Sequence, residues 1–153
     1  MLNKGLPGLE IRKFRPQYRD CLEEILLSNV PLYFAVHEVD EWKTFLNEHA
    51  DSYFVLLHRE GVIGAGGYFF PNNKTARLSW DFLLPEYQGK GFGKFLLQYR
   101  LKRVMMYGEV ICIEVWTSQH AFRFYEKAGF VVREITENYW DKGLHLYLME
   151  KRV

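Results

Sequence analysis

Apolar and polar residues alternate from Leu9 to Phe14, which marks one face of a short strand for burial. The period then lengthens. Tyr18, Cys21, Leu22, Ile25 and Leu26 recur every three or four residues, predicting an amphipathic helix from Arg15-Pro16 to about Ser28. Pro16 is tolerated in its first turn, and Asn29-Val30-Pro31 ends it. Asp40 to His49 reads as a second helix with Trp42, Phe45 and Leu46 on one side. The apolar connection Leu32–His37 has the composition of a pocket wall or lid, or Tyr33 and Phe34 plug the space between the helices.

Two strand-like runs, Tyr53–His58 and Val62–Phe70, flank Arg59-Glu60-Gly61 as a hairpin. Gly64, Gly66 and Gly67 inside the second run require that something lie against the backbone or that the strand bend. After a turn at Pro71–Lys74, Thr75–Leu84 is a third antiparallel strand. A helical pattern runs from Gly91 to Tyr107, stopped by Gly108. Val110–Trp116 is nearly continuous in apolar residues, as a central strand buried on both faces would be. Thr117-Ser118 offers a cap for a short helix carrying Ala121, Phe122, Phe124 and Tyr125, closed by Gly129. Phe130–Ile135 and Leu144–Met149 are the last strands, joined through Asn138 to Gly143. The order is β α α β β β α β α β β, without repeat or linker, so residues 1–153 form one α/β domain around a mixed, mostly antiparallel sheet.

Composition narrows the classes. With 20 basic and 19 acidic side chains the net charge is +1, which gives no global field for nucleic acid. Cys21 and Cys112 have no metal or disulfide spacing and read as buried thiols, so no metal is expected. No run reaches the roughly 20 apolar residues of a membrane span, and Met1–Gly8 is too short and too rich in breakers for a secretory signal. A cytoplasmic protein is expected.

The chemistry concentrates between the third strand and the long helix, in Pro85-Glu86-Tyr87-Gln88-Gly89-Lys90-Gly91-Phe92-Gly93-Lys94. A strand, a glycine loop and a helix N-terminus stand in sequence. The first amides of a helix lack intrahelical acceptors, the dipole adds partial positive charge, and glycine permits close approach, which together make a pyrophosphate cradle. Two other phosphate loops are excluded by spacing. The residue after Gly93-Lys94 is Phe95 rather than Ser or Thr, and the third glycine of a dinucleotide fingerprint is missing.

Gln88-Gly89-Lys90-Gly91-Phe92-Gly93 resembles the Gln/Arg-x-x-Gly-x-Gly/Ala signature of the GCN5-related N-acetyltransferase (GNAT) superfamily, as does the Pro-x-Tyr upstream. Ala121-Phe122-Arg123-Phe124-Tyr125-Glu126-Lys127-Ala128-Gly129-Phe130 is similar to the family's second motif, and the element order is the family's. The resemblance implies a splayed pair of parallel strands binding acetyl-coenzyme A, with the pyrophosphate on amides of Gly89, Lys90, Gly91, Phe92, Gly93 and Lys94 beside Gln88. It also implies pantetheine pairing to the backbone of Asp81, Phe82 and Leu83, and Tyr125 protonating the departing thiolate. Where many relatives carry Asn, this chain has Ser118, which can still donate and accept a hydrogen bond.

Direct attack by an amine needs no Ser, Cys or His nucleophile, only a base, oxyanion donors and an acid for the leaving group. Asp81 and Glu114 are the candidate bases, although Glu114 would equally serve as a buried ion partner. Tyr33, Phe34, His37, Tyr68, Phe70, Tyr139 and Trp140 would line the acceptor side, pointing to a small, partly apolar primary amine. These loops show no cluster of acids of the kind that would take a polycation. A protein or peptide acceptor and a non-catalytic acyl-coenzyme A sensor are the alternatives, and the last strands could pair two copies into a homodimer.

Overall fold

The computed structural model describes residues 6–153; the first five residues of the Met1–Gly8 stretch lie outside it. Seven strands form one sheet: β1 (Leu9–Lys13), β2 (Tyr53–His58), β3 (Gly61–Asn72), β4 (Thr75–Leu83), β5 (Cys112–Thr117), β6 (Val131–Asp141) and β7 (Leu144–Arg152). Their spatial order is β1-β2-β3-β4-β5-β7-β6, with every neighbouring pair antiparallel except β4 and β5. Among the described residues four α-helices pack on this sheet: α1 (Arg19–Leu27), α2 (Glu38–His49), α3 (Phe92–Val104) and α4 (Phe122–Glu126). No helix among the described residues is long and apolar enough to cross a membrane.

The sheet separates two cores. Leu22, Ile25 and Leu26 of α1 and Trp42, Phe45 and Leu46 of α2 cover one face, against Tyr53, Val55, Leu57 and Phe82. Phe92, Leu96, Leu97 and Val104 of α3, with Tyr125 of α4, cover the other, against Phe54, Leu56, Leu78 and Val115. Strand alternation therefore assigns each side chain of a central strand to one core or the other.

Several boundaries differ from the sequence reading for local reasons. A 3-10 turn at Pro16–Tyr18 precedes α1, so the first helix proper starts at Arg19. Helix α3 stops at Val104, and Gly108 lies beyond its end. Strands β6 and β7 are longer than predicted. Asn138, at φ +55°, accepts the Gly143 amide through Oδ1 at 2.7 Å and donates its own amide to His145 at 2.9 Å. Those bonds let the ladder continue past an irregularity to Asp141 and Leu144. Cys21 is exposed, because it falls on the outer side of α1, whereas Cys112 is buried.

A bulge in β4 sets the site. Gly67 pairs with Ser79 and Ala65 with Phe82, so one residue of β3, Gly66, faces two of β4, Trp80 and Asp81. Trp80 takes up the extra residue at φ +57°, a left-handed conformation that a bulky side chain rarely adopts. It is held there by a hydrogen-bonded chain: Trp42 Nε1 donates to Tyr53 Oη at 3.1 Å, and Tyr53 Oη donates to the Trp80 carbonyl at 2.8 Å. Past the bulge, Trp80 and Phe82 join the α1–α2 face while Asp81 joins the α3 face.

Candidate active site

Strands β4 and β5 pair only from Thr75–Cys112 to Leu78–Val115. Beyond Leu78 they diverge around a cavity of about 1050 Å³ that includes the glycine loop, the start of α3 and residues of α4 in its walls. The loop enters through a 3-10 turn at Pro85–Tyr87. Gly89 and Gly91 stand at φ +73° and +92°, and Gly91 is the N-cap residue of α3. Gln88, Gly89, Gly91, Gly93 and Lys94 line the cavity. Lys90 is exposed and Phe92 is buried in the core, so neither side chain lines it.

The loop is fastened from across the molecule by a residue the sequence reading passed over as a helix terminator. Asn29, 3% exposed, donates through Nδ2 to the Leu83 carbonyl at 2.9 Å and accepts from Gln88 Nε2 at 2.9 Å. Gln88 also donates to the Leu83 carbonyl at 3.2 Å. Gln88 thus ties the loop to the end of α1 and to β4. Asn29→Ala leaves the Gln88 amide only its longer bond to Leu83 and cuts the link from α1 to the loop. It is expected to cost about 1 kcal/mol and to weaken coenzyme A binding, as calorimetric titration would show.

On the α3 face, Asp81 meets a buried cation. Arg100, 1% exposed, forms a two-pronged ion pair with both oxygens of Asp81 and donates to the Gly67 carbonyl at 3.0 Å. Tyr125 donates its hydroxyl to Asp81 Oδ2 at 2.6 Å. Burial would depress the Arg100 pKa, and the Asp81 carboxylate overcomes this so that the net shift is upward. Burial, reinforced by the Asp81 charge, pushes the Tyr125 phenol well above its usual range. A Cβ on Gly66 would stand 3.1 Å from both the guanidinium and Asp81 Oδ1, so the ion pair would have to give by a few tenths of an ångström to admit one.

Asp81 lines the cavity, and both of its oxygens are engaged in this pairing, so the geometry does not present it as a free base. Glu114 stands otherwise than as a free base too: its Oε1 accepts from Arg77 Nε at 2.6 Å, while the Arg77 guanidinium lies 4.1 Å over the Trp116 ring. Ser118, 3% exposed, lies outside the cavity wall. Its Oγ accepts the His120 amide at 3.3 Å, whereas the N-cap position of α4 is Ala121.

The α1–α2 face of the cavity is aromatic. Phe34 stacks on Trp80 with centroids 5.8 Å apart, and Tyr33 meets His120 edge-on at 6.3 Å. Tyr33, Phe34, Trp80, Trp116, His120 and Trp140 all line it. Tyr68 does not: it is buried on the opposite core with Phe54. Tyr139 is half-exposed against Trp116, and Phe70 packs on Tyr107 away from the gap. Of the expected pair Tyr139 and Trp140, Trp140 lines the cavity. Its Nε1 donates to the Thr117 carbonyl at 3.1 Å, and its own carbonyl lies 2.7 Å from His37 Nε2. The α1–α2 connection, β6 and β5 are thereby joined above the gap.

Comparison with known proteins agrees with this geometry. The profile of the acetyltransferase (GNAT) domain matches residues 27–153. The chain belongs to the GNAT family. It is 28% identical over 97 residues to human cysteine-rich protein 2-binding protein, covering 62% of this chain, and 41% identical over 61 residues to the [ribosomal protein bS18]-alanine N-acetyltransferase of Haemophilus influenzae, covering 39%. These matches span 12% and 42% of the relatives' own lengths. The fold superimposes on that of Ard1 from Thermoplasma volcanium with a TM-score of 0.82 at 20% identity, covering 95% of this chain and 98% of that one. Among the described residues, the sheet divides at the parallel pair β4–β5.

Proposed function

We propose that this GNAT domain transfers an acetyl group from acetyl-coenzyme A to a small primary amine, by direct attack while both are bound. The observation that carries the reading is that the glycine loop, Tyr125 and an aromatic wall open into one cavity at the divergence of β4 and β5. The residues present fit the cosubstrate. Gly89 and Gly91 adopt backbone conformations that an L side chain would strain, α3 presents its N-terminal amides, and Lys94 adds charge beside them. The bound thioester supplies an activated acyl group.

This chain's part is positioning and proton management. The backbone of β4 beyond Leu78, released from β5, offers an edge for an amide-containing arm. The carbonyl of Leu83 is already taken by Asn29 and Gln88, so that edge serves through its other groups. The acceptor gives up its ammonium proton to solvent before attack. As its nitrogen then bonds to the acyl carbon and the carbon–sulfur bond breaks, Tyr125 donates its proton to the sulfur, and the second proton lost by the nitrogen restores the phenol through solvent. Its raised pKa keeps it protonated throughout the neutral range. The joining of His37, Trp140 and Thr117 above the gap favours a small acceptor over a peptide in an open groove.

Calorimetric titration with acetyl-coenzyme A and with coenzyme A, followed by thiol release with a mixed panel of amines, tests the proposal. Tyr125→Phe is expected to lower kcat about 100-fold with the KM for acetyl-coenzyme A little changed. Binding without release from any amine would instead identify a sensor. No binding at all would overturn the reading of the glycine loop.

A further inference from the structure

The acceptor side of the cavity contains one carboxylate that the chemistry above leaves unused. Glu38 opens α2, is 3% exposed and lines the cavity beside Phe34 and Trp80. Its Oε2 accepts the Ala35 amide at 2.7 Å, and no cationic side chain among the described residues bonds to it. A buried carboxylate without a counter-ion is costly, and proteins keep such groups where a ligand supplies the missing charge.

The surroundings sharpen the ligand's chemistry. Burial raises the Glu38 pKa to about 7; the Ala35 amide and His37 oppose it, while Glu41 of α2 and Asp141 of β6 add to it as like charges. Arg77, the cation on the same cavity wall, is already matched by Glu114. Glu38 and Glu41 from the first turn of α2 and Asp141 from β6 thus share one electrostatic neighbourhood beside the aromatic wall. That pairing of a carboxylate with ring faces suits an ammonium group carried on an apolar body.

Resting on the acetyl-transfer reading, we infer that Glu38 anchors the acceptor's ammonium group and selects arylalkyl amines over neutral analogues of the same shape. The carboxylate pairs with the cation, while Phe34 and Trp80 pack against the apolar part. Glu38 is accordingly a specificity residue, and Gln in its place keeps an oxygen for the Ala35 amide but loses the charge.

The test is calorimetric titration of 2-phenylethylamine and of 2-phenylethanol into wild type, Glu38→Gln and Glu38→Asp, with and without saturating coenzyme A. Wild type is expected to prefer the amine by at least about tenfold, the affinity equivalent of roughly 1.4 kcal/mol. Glu38→Gln should lose the preference, Glu38→Asp should keep part of it, and coenzyme A affinity should stay unchanged in both. A second readout needs only wild type. Near pH 7, titrations in two buffers of different ionisation enthalpy should show net proton release on amine binding, because the cation draws Glu38 into its ionised form. Equal affinity of wild type for amine and alcohol, or an undiminished preference in Glu38→Gln, would overturn the inference. Absence of coenzyme A binding with the amine preference intact would instead overturn the acetyl-transfer reading alone.

Discussion

Asp81→Ala is expected to destabilise the protein by about 3–5 kcal/mol, a large part of the total stability of a domain of this size. The alanine leaves the Arg100 guanidinium buried on the α3 face without its counter-ion, with the Gly67 and Leu96 carbonyls as its remaining partners. It also removes the acceptor of the Tyr125 hydroxyl. Much of the cost is therefore the penalty of an uncompensated charge, not the worth of the pair itself. Urea denaturation of Asp81→Ala, Arg100→Met and the double variant separates the two: the double variant should recover most of the stability, since an apolar pair of similar volume carries no such penalty. A loss below about 1 kcal/mol in Asp81→Ala would mean that Arg100 is as well satisfied by water as by Asp81, and would return Asp81 to consideration as a base.

The second large effect falls on ligand affinity. Gly91→Glu is expected to weaken acetyl-coenzyme A binding at least about 100-fold, the equivalent of roughly 2.7 kcal/mol. At φ +92° any side chain strains the backbone, and the glutamate carboxylate would compete with phosphate for the amides at the N-terminus of α3. Among the described residues space is not the obstacle, since a Cβ there would meet only Leu6 Cδ1, at 3.7 Å. Gly91→Ala, which introduces the strain without the charge, should lose less affinity than Gly91→Glu. Equal affinity of wild type and Gly91→Glu in a titration would place the phosphates elsewhere.

The element order and the loop were legible because each rests on local signals. Periodicity marked the strands and helices, and the glycine spacing marked the α3 entrance. The bulge at Trp80 carried no such signal. It depends on Trp42 and Tyr53, which lie 38 and 27 residues away in sequence and meet its carbonyl only in the folded sheet. The glycines of β3 did announce a close approach, but not that Gly66 makes room for an Arg–Asp pair. Arg100 itself could have been noticed. It follows Leu96 and precedes Val104 at four-residue spacing, so it stands on the buried stripe of α3. The acidic neighbourhood of Glu38 escaped because Glu41 and Asp141 are 100 residues apart and are brought together by tertiary packing alone.

The bonds joining the α1–α2 connection, β6 and β5 end on main-chain oxygens, those of Trp140 and Thr117. A carbonyl is supplied by whatever residue occupies the position, so only the donors His37 and Trp140 constrain the sequence. Tyr33, Thr117 and His120 are then free to drift without loosening the arch above the gap. The consequence is evolutionary: under the proposed acetyl transfer, one acceptor can be exchanged for another by substitution along the cavity wall, while the glycine loop and α3 stay unaltered.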